Sequence, residues 1–361
     1  MKKILYVKGS AIDDVRLRKS ILFFLRQKDY RVEFIGWDRA RDNQLIDNID
    51  IKYIHKGGTM NKKILVLNYL LWILKLFFKL LFMKGLKDRI VIAVNFDAAF
   101  PVYFVSKFKN INYLYEIHDE IALSYNFGKG LKDVVRRIDK RICENANKVI
   151  HVDENRCDVN NSHNVIIENS PYDFFSGKDR SYDKVQHKFA VIGYFSDVRC
   201  IDQIYLFAKN NPQLTFMLAG KGMNSELESK FKKLSNAEFY DFMPQEILFS
   251  LMLECCAIFS LYEPSIEINK LAASNKVYDA MMLGIPVITN PEVVNSKFIL
   301  DNNIGLVVNC VYDSSWSILA STNFVDHSIS IGKKGRSLYL KYYEFDKLME
   351  KRLLPILDSV Y

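Results

Sequence analysis

Residues 257–290 read AIFSLYEPSIEINKLAASNKVYDAMMLGIPVITN, and the order of elements in this stretch decides the fold. Ala257-Ile258-Phe259-Ser260-Leu261-Tyr262 is a short apolar and aromatic run of the kind that forms a buried parallel strand. A polar loop follows, and Ser274 and Asn275 are good N-cap residues just before the periodic segment from Lys276 through Tyr278 and Asp279 to Leu283. Gly284 suits a left-handed helix stop, and Ile285-Pro286-Val287-Ile288-Thr289 reads as the next strand. The helix N-terminus then turns free N–H groups and a positive dipole end into the crevice beyond the strand ends. A phosphate would sit there.

The same grammar runs outward in both directions. Lys3 to Val7 is a first strand with Gly9-Ser10 as its turn, a helix is expected over 14–28, and 32–36 is a second strand ending at Trp37-Asp38-Arg39. No GxGxxG follows the first strand, which argues against a nicotinamide or flavin enzyme. Further strands are expected at 89–94, 112–117, 148–152 and 164–167, with a helix over 129–145. Asn95-Phe96-Asp97 and His118-Asp119 close two of these strands. Strands at 189–194, 214–219 and 237–240 and helices at 201–209 and 245–254 lead into the opening stretch, and 333–357 reads as helical. The fold class is therefore α/β with two Rossmann-like domains: 1–171, a polar linker at 172–188, 189–340, and a C-terminal helix at 341–361.

A chain of 361 residues exceeds one ordinary core, and 49% hydrophobic with 25% charged residues is a globular composition. The formal net charge of +8 favours anions: phosphorylated ligands, lipid headgroups or nucleic acid. Six cysteines without a CxxC pair or zinc spacing are expected to be reduced cytosolic thiols. Met1-Lys2-Lys3 leads straight into a strand, without the pattern of a signal peptide.

One segment is anomalous. Residues 62–89 read KKILVLNYLLWILKLFFKLLFMKGLKDR, and 64–83 is long enough to span a bilayer. Lys75 and Lys79 lie near its middle, at about 3 kcal/mol each on insertion, which excludes a span. Two readings stand. In one the helix covers a core; in the other it lies in the headgroup layer, with Trp72, Phe77, Phe78 and Phe82 in the acyl region and Lys75 and Lys79 on anionic lipid. Lys62, Lys63, Lys84 and Lys87 add to the charge.

Two Rossmann-like halves, a linker and a terminal helix resemble the GT-B glycosyltransferases. More narrowly the chain resembles the retaining family four, in the branch that builds bacterial capsule and O-antigen polysaccharides. The resemblance rests on Lys276-Val277-Tyr278-Asp279-Ala280-Met281 leading into Gly284-Ile285-Pro286-Val287-Ile288, supported by Asp14-Val15-Arg16, Glu116-Ile117-His118-Asp119, Asn169-Ser170-Pro171, and Gly193 with Arg199-Cys200-Ile201-Asp202. It implies domains facing across a cleft, with the C-terminal helix crossing back to the first. It implies that Asp279 accepts from the ribose of a nucleotide sugar, that Arg199 and Lys276 hold the diphosphate, and that His118 reaches the donor sugar. Gly9, Gly193, Ser274 and Asn275 would complete the donor site. The family's first acid falls on Leu271, with Glu267 as a nearby substitute, and its second basic residue is replaced by Tyr194.

The expected activity is retaining transfer of a sugar to a saccharide acceptor carried on polyprenyl diphosphate, at the inner face of the cell membrane. No cofactor, bound metal or nucleic-acid partner is implied. Two rivals are a sugar-nucleotide epimerase and a degenerate family member that binds membrane or a partner enzyme.

Overall fold

The computed structural model describes residues 1–39, 46–57, 62–119, 129–157, 159–195, 197–241, 243–272 and 274–360. The chain divides into two compact units, Met1–Glu168 with Met349–Tyr361, and Asn169–Leu348.

The first unit is a seven-stranded sheet of β1 (Lys2–Lys8), β2 (Tyr30–Asp38), β3 (Asp50–Lys56), β4 (Arg89–Val94), β5 (Asn112–Ile117), β6 (Lys148–His151) and β7 (Asn164–Ile166). Its order is β3-β2-β1-β4-β5-β6-β7, parallel at every pairing. Parallel strands need crossovers, made here by α1 (Val15–Arg26), α2 (Lys62–Leu81), α3 (Phe96–Ser106) and α4 (Lys129–Asn145). Asp14 caps α1 by accepting from the Leu17 N–H at 3.0 Å. Of the segment expected as a C-terminal helix, 341–361, the part from Met349 on, with the helix Leu354–Val360, belongs to this unit, and 341–348 belongs to the second. Arg352 donates to both Glu168 oxygens at 2.9 and 2.7 Å, and Asn112 donates to the Val360 carbonyl at 2.9 Å.

The second unit repeats the plan with β8 (Lys188–Tyr194), β9 (Thr215–Lys221), β10 (Ala237–Tyr240), β11 (Ala257–Phe259), β12 (Val287–Thr289) and β13 (Gly305–Val307), in the order β10-β9-β8-β11-β12-β13. Its helices are α5 (Ile201–Asn210), α6 (Ser225–Phe231), α7 (Gln245–Met252), α8 (Glu267–Lys270), α9 (Asn275–Leu283), α10 (Asn295–Asp301) and α11 (Phe324–Leu338). Both sheets are Rossmann-like, as expected. Gly284 ends α9 at φ +63°, the left-handed stop read from the sequence.

Five elements went unread: β3, α3, α8, α10 and β13. The segment read as a linker is tied into the second unit by two buried cations. Arg336 pairs with Asp173 at 2.6 Å, and Arg180 donates to the carbonyls of Leu283, Gly284 and Leu253. The expectation of reduced thiols also fails at one pair. Cys200 and Cys310, 110 residues apart, form a disulfide with 6.4 Å between their Cα atoms, because the fold brings the start of α5 beside the segment after β13. Cys143, Cys157, Cys255 and Cys256 are free.

Gly193 and Gly220 face each other across the β8–β9 ladder, and a Cβ on Gly220 would collide with the Gly193 carbonyl oxygen. Gly220→Ala should therefore destabilise the second unit by about 1–3 kcal/mol through overpacking. The check is the urea midpoint of unfolding, which should fall; an unchanged midpoint would show that the two backbones have room to part.

Candidate active site

In the second sheet the strand order turns back between β8 and β11, so the loops leaving their C-terminal ends diverge and open a crevice. Gly193 lies at the end of β8 with φ +101°, a conformation that side chains resist. A Cβ there would meet the Lys276 side chain, 3.9 Å from Cε and 4.0 Å from Nζ. Lys276 is in the first turn of α9. Ser274 is the N-cap by backbone position, yet its hydroxyl is turned to Ser260, with 2.9 Å between the two oxygens. Tyr262, just beyond β11, is buried, and the Asn290 side chain grips its backbone, accepting from its N–H at 2.9 Å and donating to its carbonyl at 3.0 Å. Over the Tyr262 ring, 4.1 Å from its centroid, sits the guanidinium of Arg199. Nη1 of that arginine is buried and has no hydrogen-bond partner among the described residues.

The charges explain one another. Burial pushes the Tyr262 phenol up, but Lys276, Arg199 and hydrogen bonds with Ser274 and Ser260 outweigh it and hold the group below its ordinary 10.0. Burial and the nearby Arg199 lower the Lys276 ammonium, against the pull of Tyr262 and Asp279. Two cations thus crowd a glycine-lined helix N-terminus, one of them with an unused donor. Such a constellation is built to take a multiply charged anion.

Gly193, Arg199, Ser274 and Lys276 are therefore brought together around Tyr262 and the start of α9. Asp279 is buried, with 7% of its surface exposed, so it is not a solvated helix acid. Asn275 and Glu267 are exposed, and the Tyr194 ring lies against Gly222. Tyr262 and Ser260 were missed as site residues, although their place just after a buried strand was the available signal.

The first unit holds a second polar cluster at its own turning point, between β1 and β4. Arg16 donates from Nε to Glu116 at 2.7 Å, and both side chains are nearly buried. Nε2 of His118 lies 3.1 Å from the same Glu116 oxygen, and its Nδ1 lies 3.1 Å from Nζ of Lys8. Lys8 also pairs with Asp14 at 2.8 Å. The neutral tautomer that fits donates from Nε2 to Glu116 and accepts at Nδ1 from Lys8. His118 is pinned further by Asn95, which accepts from its N–H at 2.9 Å, and by Arg156, which donates to its carbonyl at 2.8 Å. Both ring nitrogens are thus engaged inside the first unit, and a sugar contact through either must displace a partner. Gly9 has a local reason: a Cβ there would strike the Asp97 carboxylate and crowd the Trp72 indole.

On α2 the expected lipid contacts separate. Trp72 is fully buried, stacked with Trp37 at 6.4 Å between ring centroids, so it faces the core and not the surface. Lys75 turns to His55, 3.2 Å from Nδ1. Phe78 and Lys79 are exposed with Leu71, Leu74 and Phe82 along a groove of ≈ 570 Å³. Of the apolar stretch Ile64–Leu81 17% is buried: Trp72, Leu76 and Leu80 pack in the core, while Leu71, Leu74 and Phe78 are exposed. The side chains of Lys62 and Lys63 lie outside the described residues.

Burial holds His118, His55 and His151 of the first unit below the ordinary 6.5, with Lys8 acting on His118, Lys75 on His55 and Arg156 on His151 in the same direction. The unfolded chain therefore takes up these protons first, and stability falls as pH drops below 6.5 toward the folded values. The thermal midpoint should fall between about pH 7 and pH 5, and less so in His118→Gln. Identical pH slopes for the two proteins would remove His118 from this account.

Among solved structures the chain is similar to a sucrose-phosphate synthase from Thermosynechococcus elongatus, at 14% identity and TM-score 0.71 over 100% of both chains. It is similar to Anabaena HepE, solved in complex with UDP, at 12% identity and TM-score 0.69 over 99% of this chain and 100% of that one. It is also similar to WaaG, a glycosyltransferase involved in lipopolysaccharide biosynthesis, at 12% identity and TM-score 0.62 over 96% and 98%. These neighbours are GT-B glycosyltransferases, and the chain shares their fold. No protein-family model and no curated protein matches it.

Proposed function

We propose that the protein is a glycosyltransferase that moves a sugar from a nucleotide-sugar donor to a saccharide acceptor, with retention, in bacterial surface polysaccharide synthesis. The carrying observation is the pair of cations, Arg199 and Lys276, at the N-terminus of α9, with a buried arginine N–H left unused. The donor diphosphate fills that place, Gly193 lets the phosphates approach the backbone, and buried Asp279 accepts from the ribose. Charge that grows on the departing phosphate is met by donors already in position, which lowers the barrier without a protein base. The acceptor hydroxyl attacks the face the phosphate leaves and gives it its proton. On this reading the reaction calls on no cofactor or metal, and the Glu116–His118–Lys8 cluster positions groups in the acceptor-binding first unit.

Arg199→Ala should weaken nucleoside diphosphate binding about 10- to 100-fold while leaving nucleoside binding nearly unchanged. Asp279→Asn should weaken nucleosides and nucleotides alike. Calorimetry with UDP and uridine separates the two, and Arg199→Ala protein that binds UDP like wild type would overturn the donor site.

We further propose that the acceptor is carried on polyprenyl diphosphate and that the protein works peripherally at the cytoplasmic membrane face. The exposed stripe of Leu71, Leu74, Phe78 and Phe82, edged by Lys79, supports this. The double variant Phe78→Ser, Phe82→Ser and the single variant Lys79→Glu should each reduce sedimentation with phosphatidylglycerol vesicles at low salt. Transfer to a soluble acceptor analogue should survive in both. Wild-type protein that stays in the supernatant at low salt would end the membrane proposal.

A further inference from the structure

The donor-site reading leaves one covalent feature unused. We propose that Cys200 and Cys310 form a thiol–disulfide site that sets nucleoside diphosphate affinity by holding Arg199 in place. The proposal rests on the reading of Arg199 as a diphosphate-binding residue.

Cys200 is the residue after Arg199, and the two join the short 3-10 turn Asp197–Arg199 to α5. Its φ of +51° lies in the left-handed region, which a cysteine adopts only when its surroundings impose it. The remaining ties on this turn are non-covalent. The Val198 carbonyl accepts from the Glu263 N–H at 3.0 Å and from Asn269 Nδ2 at 3.4 Å, and the Arg199 guanidinium rests on the Tyr262 ring. The guanidinium has no bond at Nη1 to orient it. The disulfide adds a covalent link from Cys200 to the segment after β13, where Sγ of Cys310 lies 3.7 Å from the Tyr262 carbonyl oxygen. One bond therefore fastens the turn that carries the arginine to the segment after β13, beside the residue on which the arginine lies.

Reduction would loosen that turn. A dithiol such as dithiothreitol attacks one sulfur as the thiolate and forms a mixed disulfide, releasing the other cysteine as a thiol. Its second thiol then displaces the remaining cysteine, so two electrons and two protons reach the protein and the reagent leaves as a cyclic disulfide. A loosened Arg199 must be ordered again by each ligand, and affinity drops by that cost.

The test compares oxidised and dithiothreitol-reduced wild type with the double variant Cys200→Ser, Cys310→Ser, using UDP and GDP in calorimetry. A chelator is included, since both sulfurs and the Glu263 carboxylate, mutually within 4.8 Å, would offer a metal ligands once the sulfurs part. Oxidised wild type should bind at least ~5-fold more tightly than the reduced protein, and reoxidation should restore it. The double variant should match the reduced protein and ignore dithiothreitol. Equal affinities in the two redox states, with Arg199→Ala still weak, would overturn this inference alone. Six reactive thiols in diamide-treated, unfolded protein would also overturn it, since four are expected. Binding of neither diphosphate in any state would overturn the donor-site reading beneath it.

Discussion

Every strand pairing in both sheets is parallel, and that constraint shapes everything functional in this protein. A parallel sheet sends each return path outside the sheet, so all strands in a unit present their C-terminal ends along one edge. Their middles are buried on both faces and read as apolar runs. Chemistry is thereby pushed to the residues just after each strand. Lys8 ends β1 and Gly9 follows it, Asn95 and Asp97 follow β4, His118 follows β5, and Ser260 and Tyr262 follow β11.

The two units use that edge differently. In the first, opposite charges close on one another: Arg16 with Glu116, Lys8 with Asp14, and a neutral histidine between Lys8 and Glu116. Burial would raise Glu116, but Arg16 and His118 hold it well below the usual carboxylate range. Breaking one partner of such a buried pair strands the other, so this cluster is rigid by necessity. In the second unit like charges are held together instead. Arg199 lies on the Tyr262 ring, Lys276 acts on the same phenol, and the nearby Arg199 lowers the Lys276 ammonium. A closed cluster positions; an unsatisfied one waits for a ligand.

The sequence was legible where local pattern and global structure agree. Residues 257–290 carry apolar runs, an N-cap and a left-handed glycine stop in order, and each appears where it was read. β3 and α3 were not legible for opposite reasons. β3 is an edge strand with charged residues in alternation, while α3 is apolar all round and holds Pro101. Trp72 failed similarly, because α2 has little contrast between its faces and a helical wheel cannot say which is buried. Contacts between distant residues left no local trace: Arg16 and Glu116 are 100 apart, and Cys200 and Cys310 are 110 apart. Gly9, expected in the donor site, is pressed within the first unit by the carboxylate of Asp97, 88 residues further along the chain.

Arg180 gives α9 an unusual boundary condition. Its guanidinium caps the carbonyls of Leu283 and Gly284, so a cation sits at the negative end of the helix while Lys276 and Arg199 crowd the positive end. A site that takes the donor diphosphate, as proposed, makes this protein a ligand for phosphate, sulfate or citrate of the surrounding buffer as well. Its apparent stability becomes a property of the medium as much as of the chain, and any affinity measured in phosphate is a competition.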